Sequence, residues 1–177
     1  MSNPDVMAAY KLRGLTLRQL SFADKCQMMR LQDLVLAALP DPAWYFPSEE
    51  WEFDEWLTGR EAFGYFAGGE LAGFAVVTPA EGRGARSYAV KLGEPPGGTC
   101  DFHDVMVLPA YRGRGVHTKF LALFAELARV TGRRAVYATV DPANAASWRN
   151  FEKAGYRLVT VMPAYDGRPR RFYRLSL

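Results

Sequence analysis

The sequence predicts one α/β domain, a mixed sheet flanked by helices, and three observations lead there. Residues 100–107 are rich in valine and aromatics and alternate apolar with polar, as a half-buried strand does. From Val116 the apolar residues Phe120, Leu123, Phe124, Leu127 and Val130 fall at helical spacing, and Gly132 stands where a C-terminal stop belongs. Two further β-rich runs flank Gly68-Gly69, a hairpin signal. With 177 residues, 49% hydrophobic and 14% aromatic, the chain has enough apolar matter for one sizeable core.

In order, residues 15–20 read as a first strand, and a helix opens near Ser21 and runs to about Leu39, where Pro40 and Pro42 end it. Ser48 reads as the N-cap of a short helix to about Leu57, with Glu49 and Glu50 in its first turn. Residues 63–67 and 71–78 form the hairpin. Residues 82–98 are a glycine- and proline-rich connection with a short element around 88–91, and loops of that length are usually functional or mobile. After the central strand and helix, residues 135–140 read as a strand. A helix opened by Asn144 follows, then strands 157–162 and 171–177 joined through Asp166-Gly167. No repeat or linker divides the chain.

Composition narrows the partners. The net charge is +3, but residues 1–100 hold 9 Lys or Arg against 13 Asp or Glu, and residues 101–177 hold 13 against 6. A net +7 half suits a polyanionic ligand. Its arginines are scattered over helix, loop and hairpin, and no nucleic-acid motif accompanies them, so no nucleic-acid partner is expected. Residues 1–10 lack the basic start and apolar run of a signal peptide, and no segment reaches the apolar length of a membrane span, so no membrane partner is expected either. Cys26 and Cys100 are too few for a disulfide scaffold and form no metal-ligand pair with the distant His103 and His117, so the reducing cytoplasm is the expected compartment and no metal is expected.

The stretch from Val107 to His117 turns the central strand into the long helix through a basic, glycine-containing corner. The first turn of a helix leaves backbone N–H groups without internal partners, and the peptide dipoles add positive charge there. Gly113 and Gly115 remove the Cβ atoms that would hold a ligand off the amides, while Arg112 and Arg114 offer charge-assisted hydrogen bonds. The nucleotide P-loop fails here, because it needs Gly-Lys before Ser or Thr and the chain has Arg114-Gly115-Val116-His117. The dinucleotide fingerprint fails too: one glycine is missing and Asp141 lies too far along.

The corner resembles the pyrophosphate loop of the GNAT superfamily, the acyl-CoA-dependent N-acetyltransferases. That pattern runs Gln or Arg, two residues, Gly, one residue, then Gly or Ala. Arg112 and Gly115 match it and His117 does not. Downstream, residues 144–156 resemble the superfamily's second signature, with Asn144 opening a helix that ends in Lys153-Ala154-Gly155-Tyr156. The resemblance spans about residues 101–156 and implies a mostly antiparallel mixed sheet of six or seven strands, about four helices and splayed central strands. It also implies acetyl-CoA as donor, a small amine as acceptor, and a monomer or homodimer. The pantetheine arm of coenzyme A would follow the backbone of Val105, Met106 and Val107. Its diphosphate would meet Arg112, Gly113, Arg114, Gly115, Val116 and His117, and Asn144 would either reach the cofactor or cap its own helix. Phe151 stands where many members carry a tyrosine that protonates the departing thiolate, so that acid is missing. Tyr111, Tyr156 and Tyr165 remain unassigned substitutes.

Acyl transfer needs a neutral amine, so a base must remove a proton from the ammonium ion. Asp101, where the family often has glutamate, and His103 are the candidates, sharing one strand face by alternation. Asp104, expected on the opposite face, is the weaker choice. The acceptor is expected near residues 40–47 and the loop before Cys100, with Trp44, Tyr45 and Trp51 as an apolar or cation-holding wall and Glu49, Glu50 or Glu52 attracting the amine. Two other readings stay open: a non-catalytic acyl-CoA-binding module, and a peptide or protein N-terminal acetylase.

Overall fold

A computed structural model describes residues 4–177; residues 1–3, part of the segment read for a signal peptide, lie outside the described residues. The seven strands β1 (Thr16–Gln19), β2 (Ala62–Ala67), β3 (Glu70–Pro79), β4 (Thr99–Val107), β5 (Ala135–Val140), β6 (Arg157–Pro163) and β7 (Pro169–Ser176) form one sheet in the order β1-β2-β3-β4-β5-β7-β6. Every pairing is antiparallel except β4 with β5, which are joined by the long crossover helix α5 (Val116–Val130). Parallel neighbours need such a crossover, because a tight turn cannot reverse the chain twice.

Helices cover both faces. On one side α5 inserts Phe120 and Phe124, both without exposed surface, against Phe63, Tyr65 and Phe102, and α6 (Ala145–Lys153) adds Phe151. On the other, α2 (Lys25–Ala37) and α3 (Glu50–Thr58) bring Met28, Leu31, Phe53 and Trp56 onto Phe74 and Met106. Each fully buried phenylalanine stabilises the fold by about 2–3 kcal/mol through the water it sheds. A short α1 (Pro4–Ala8), not anticipated from sequence, lays Val6 and Met7 on the α5 side, and the four-residue α4 (Tyr88–Lys91) fits the element expected at 88–91.

Three expectations change. The expected half-buried central strand is instead closed over on both faces along Thr99–Phe102, so Asp101 has no exposed surface and does not begin a solvated strand. Ser48 does not cap α3. Glu49 does, its backbone N–H bonded to Glu52 (2.9 Å), while the Ser48 hydroxyl turns to Asp104. The first long helix begins at Lys25 rather than Ser21, because Ser21 opens a short 3-10 turn whose Asp24 carboxylate accepts the Ser21 N–H and both ends of the Arg18 guanidinium.

β4 and β5 pair only over Thr99–Phe102 with Ala135–Ala138 and then part. Just beyond, β4 carries a bulge against β3: three steps from Phe102 to Val105 face two from Val77 to Ala75. A bulge bends its strand and breaks the two-residue alternation. It therefore brings His103 and Asp104 toward one cavity, where strict alternation would have put them on opposite faces. Bare backbone at Gly73 lets β3 follow the bent strand, since a Cβ there would lie 2.8 Å from the Met106 carbonyl oxygen.

Candidate active site

Two cavities meet at the open mouth between β4 and β5. The first, a groove of about 560 Å³, runs past Val105, Val107 and Tyr111 to the turn at Arg112, Gly113 and Gly115, and is closed by Val116, His117 and α6 residues. At the turn, Gly113 (φ +74°) and Gly115 (φ +81°) take the left-handed conformation that glycine adopts without strain. No backbone acceptor among the described residues engages the N–H groups of Gly113, Arg114 or Gly115, and the first intrahelical bond of α5 runs from Lys119 N–H to the Gly115 carbonyl (2.9 Å). The result is a run of outward N–H groups at the positive end of a 15-residue helix, a site shaped for a diphosphate. The strand backbone at Val105 and Val107, deserted by β5, offers further hydrogen-bonding groups, so the residues present fit the arm and diphosphate of an acyl-CoA. Arg114 lies over the Tyr111 ring (5.1 Å) instead of lining the groove, and the Met106 side chain is buried against α2 and α3, which leaves its backbone as its only possible contribution.

The second cavity, about 390 Å³, opens from the first across Trp44, Val105, Asn144 and Ser147, which line both. Its walls are aromatic: Trp44, Tyr45, Trp51, Trp56, Tyr88 and Tyr165 all line it. Asp104 faces it, accepting from the Ser48 hydroxyl (3.0 Å), and burial pushes its carboxyl up to about 6. Gln32 of α2 holds Ser48 at both backbone groups (3.0 Å each), fixing that hydroxyl. His103 also lines the cavity. Its Nδ1 lies 3.3 Å from the Tyr88 hydroxyl, its Nε2 meets no partner among the described residues, and burial pushes it down to about 3, so it is neutral at pH 7.

Most cationic groups around this cavity are already paired. Arg83 and Arg86 are held by Glu55 and Glu61. Arg170, 1% exposed, joins Asp141 of the β5 end, Asp166 of the closing hairpin and the Ala43 carbonyl of the segment over the cavity. Among the described residues that line it, the charges without an ionic partner are Glu49, Glu52 and Asp104 against Lys91, so the cavity favours a cation.

His103, Trp44, Tyr45 and Trp51 therefore come together as the sequence suggested, and Asp101 does not join them. Its Oδ2 accepts the Tyr88 N–H (3.1 Å), tying α4 to the sheet, and it lines neither cavity. Burial pushes it up to about 7. Asn144 caps α6 through the Ser147 N–H (3.1 Å) while lining both cavities. Phe151 is buried among Phe102, His117, Tyr156 and Tyr173. Of the three tyrosines left unassigned, Tyr111 lines the groove and Tyr165 the cavity, whereas Tyr156 is sealed in the core. Sequence reasoning missed Ser48, Gln32, Tyr88 and Arg170, and none of them carried a signal: Arg170 falls just before the strand expected at 171–177.

A parted strand pair whose open end faces a turn of free amides is the architecture of an acyl-CoA-dependent acetyltransferase. The acetyltransferase (GNAT) family matches residues 30–156, and the chain belongs to that family. Among solved structures it is similar to the ribosomal-protein-S18-alanine N-acetyltransferase from Escherichia coli (19% identity, TM-score 0.67, covering 92% of this chain and 93% of that one). It is also similar to yncA from Salmonella typhimurium with its cofactor acetyl-CoA (23%, TM-score 0.67, 93% and 94%). A third likeness is to a GCN5-related N-acetyltransferase from Kribbella flavida (19%, TM-score 0.69, 93% and 99%). No curated protein matches the chain. Among the described residues no helix is long and apolar enough to cross a membrane.

Proposed function

We propose that this chain transfers an acetyl group from acetyl-CoA to a small primary amine by direct attack, with no acyl-enzyme. The observation that carries the reading is the junction: a groove of backbone donors opens, across Val105 and Asn144, into an aromatic cavity whose unpaired charges are mostly carboxylates. Arg112 and the amides of Gly113, Gly115 and the first turn of α5 hold the diphosphate, and the backbone at Val105 and Val107 holds the arm. Bound there, acetyl-CoA supplies an activated acyl carbon and a thiolate leaving group.

The amine arrives as an ammonium ion, drawn by Glu49 and Glu52 and steadied by the faces of Trp44, Tyr45 and Trp51. Asp104 takes its proton. A base is most effective when its pKa lies near the working pH, which favours Asp104 at about 6 over His103 at about 3. Asp101, at about 7, is tuned better but does not line the cavity. His103 is left to orient substrate through its free Nε2.

Calorimetric titration with CoA and thiol release from acetyl-CoA across free amines and short peptides test this together. CoA binding with turnover of free amines is expected. Binding without turnover on any acceptor makes the chain a non-catalytic acyl-CoA module, turnover of peptides alone changes the acceptor class, and no heat at millimolar CoA removes the donor site.

A further inference from the structure

The first turn of α5 carries a side chain that no structural role uses up. The His117 ring lies nearly parallel to Phe102 (centroids 6.5 Å apart) and meets Phe151 edge-on (5.3 Å). Asn150 of α6 reaches it: its Nδ2 lies 2.9 Å from the Ala146 carbonyl and 3.2 Å from His117 Nδ1. The carbonyl is only an acceptor, which settles which end of the Asn150 amide is nitrogen. That nitrogen donates to Nδ1, so the imidazole proton sits on Nε2. Nε2 is buried and has no partner among the described residues. Such an orphaned donor is costly to bury and asks for an explanation.

Its place supplies one. His117 lines the groove, and Phe151, its edge-on neighbour, lines the acceptor cavity, so the imidazole stands beside the passage the acyl carbon must take. Burial holds the ring down to about 4, hence neutral and able only to donate at Nε2. Resting on the reading that an acyl-CoA fills the groove, we propose that the His117 Nε2–H donates a hydrogen bond to the thioester sulfur, with Asn150 as the positioning residue that fixes the tautomer. As the amine nitrogen bonds to the acyl carbon, the C–S bond breaks and its electron pair goes to sulfur. Asp104, having passed the ammonium proton on to water in the open cavity, takes the second proton that the nitrogen sheds as the amide forms. The imidazole keeps its own proton and stabilises the thiolate through the hydrogen bond, a role Phe151 cannot fill.

Calorimetric titration at pH 9, where a thiol of ordinary acidity ionises, compares CoA with desulfo-CoA in the wild-type chain, His117→Phe and His117→Ala. One variant keeps ring volume and the other gives it up, so packing and hydrogen bonding separate. Both variants are expected to lose about tenfold of the preference for CoA over desulfo-CoA. An unchanged preference in either folded variant, including equal weakening of both ligands, overturns the proposal. No heat from the wild-type chain with either ligand overturns the groove's assignment itself, and this inference with it.

Discussion

The groove draws much of its polar surface from the main chain, at Val105, Val107 and the Gly113–Gly115 turn, one continuous stretch of β4, turn and α5, to which Arg112, His117 and the polar side chains of α6 are added. The acceptor cavity draws its polar atoms from side chains on segments far apart in sequence, Ser48 and Glu52, Arg83 and Tyr88, His103 and Asp104, Asp141 and Arg170. The difference teaches where change is tolerated. A backbone site survives most substitutions outside its glycines, while a cavity of paired side chains fails or changes specificity when one partner goes.

If the cavity holds the chemistry, removing its base has the largest effect. Asp104→Asn is expected to lower kcat by about 10²–10⁴ and to leave CoA affinity unchanged. In the wild-type chain kcat/KM should fall as pH falls through about 6, because the base works only when ionised, and that acid limb should vanish in the variant. An unaltered rate would return the role to His103. Next in size is Arg170→Met. It strands Asp141 and Asp166 without their buried cation, and breaking such a pair costs about 3–5 kcal/mol. Urea unfolding should read that loss, and because Ala43 also loses the nearer of its two guanidinium donors, keeping only Arg168, the acceptor KM should rise while CoA affinity holds.

Gly115→Val tests the other side of the comparison. A Cβ at Gly115 would meet nothing within 4 Å, so the penalty is purely the left-handed backbone, about 1–3 kcal/mol for a residue that resists it. CoA affinity should fall about tenfold as the turn re-forms, with the acceptor cavity untouched. Asn, which tolerates that conformation, should keep most of both stability and affinity. Equal behaviour of Val and Asn would mean that the turn's geometry does not matter to the ligand.

The same contrast governs how much could be read in advance. The groove was legible because its parts are local: Pro109 ending a strand, glycines at a helix start, helical spacing to Val130, and β5 found at the residues expected. The cavity was only partly legible. Its aromatics at Trp44, Tyr45 and Trp51 were visible as residue types, but Asp104 was put on the wrong face because a β-bulge leaves no mark in the alternation of a single strand. Ser48 looked like a helix cap, and only the fold brings its hydroxyl within reach of a carboxylate 56 residues away. Asp101 and Asp104 carry the same side chain three positions apart. What separates scaffold from chemistry is which of them the bent strand leaves facing open space.

The smallest effect divides those two aspartates by pH. Burial raises the folded-state pKa of Asp101 from its ordinary 3.8 to about 7. Its favourable contribution to stability is thus fully present below about 3.8 and lost as pH rises through about 7. Asparagine keeps an oxygen to accept the Tyr88 N–H and never ionises. Asp101→Asn should therefore match the wild-type chain near pH 4 and be the more stable of the two at pH 8, read as urea midpoints at both values. His103 and His117, whose depressed pKa values act oppositely in acid, are present in both chains and cancel from the difference. Turnover by the variant should stay within about twofold of wild type, a change of under 0.5 kcal/mol in the barrier. A collapse of turnover at unchanged stability would instead make Asp101 the base, acting past Tyr88, and leave Asp104 as an acid that only holds substrate.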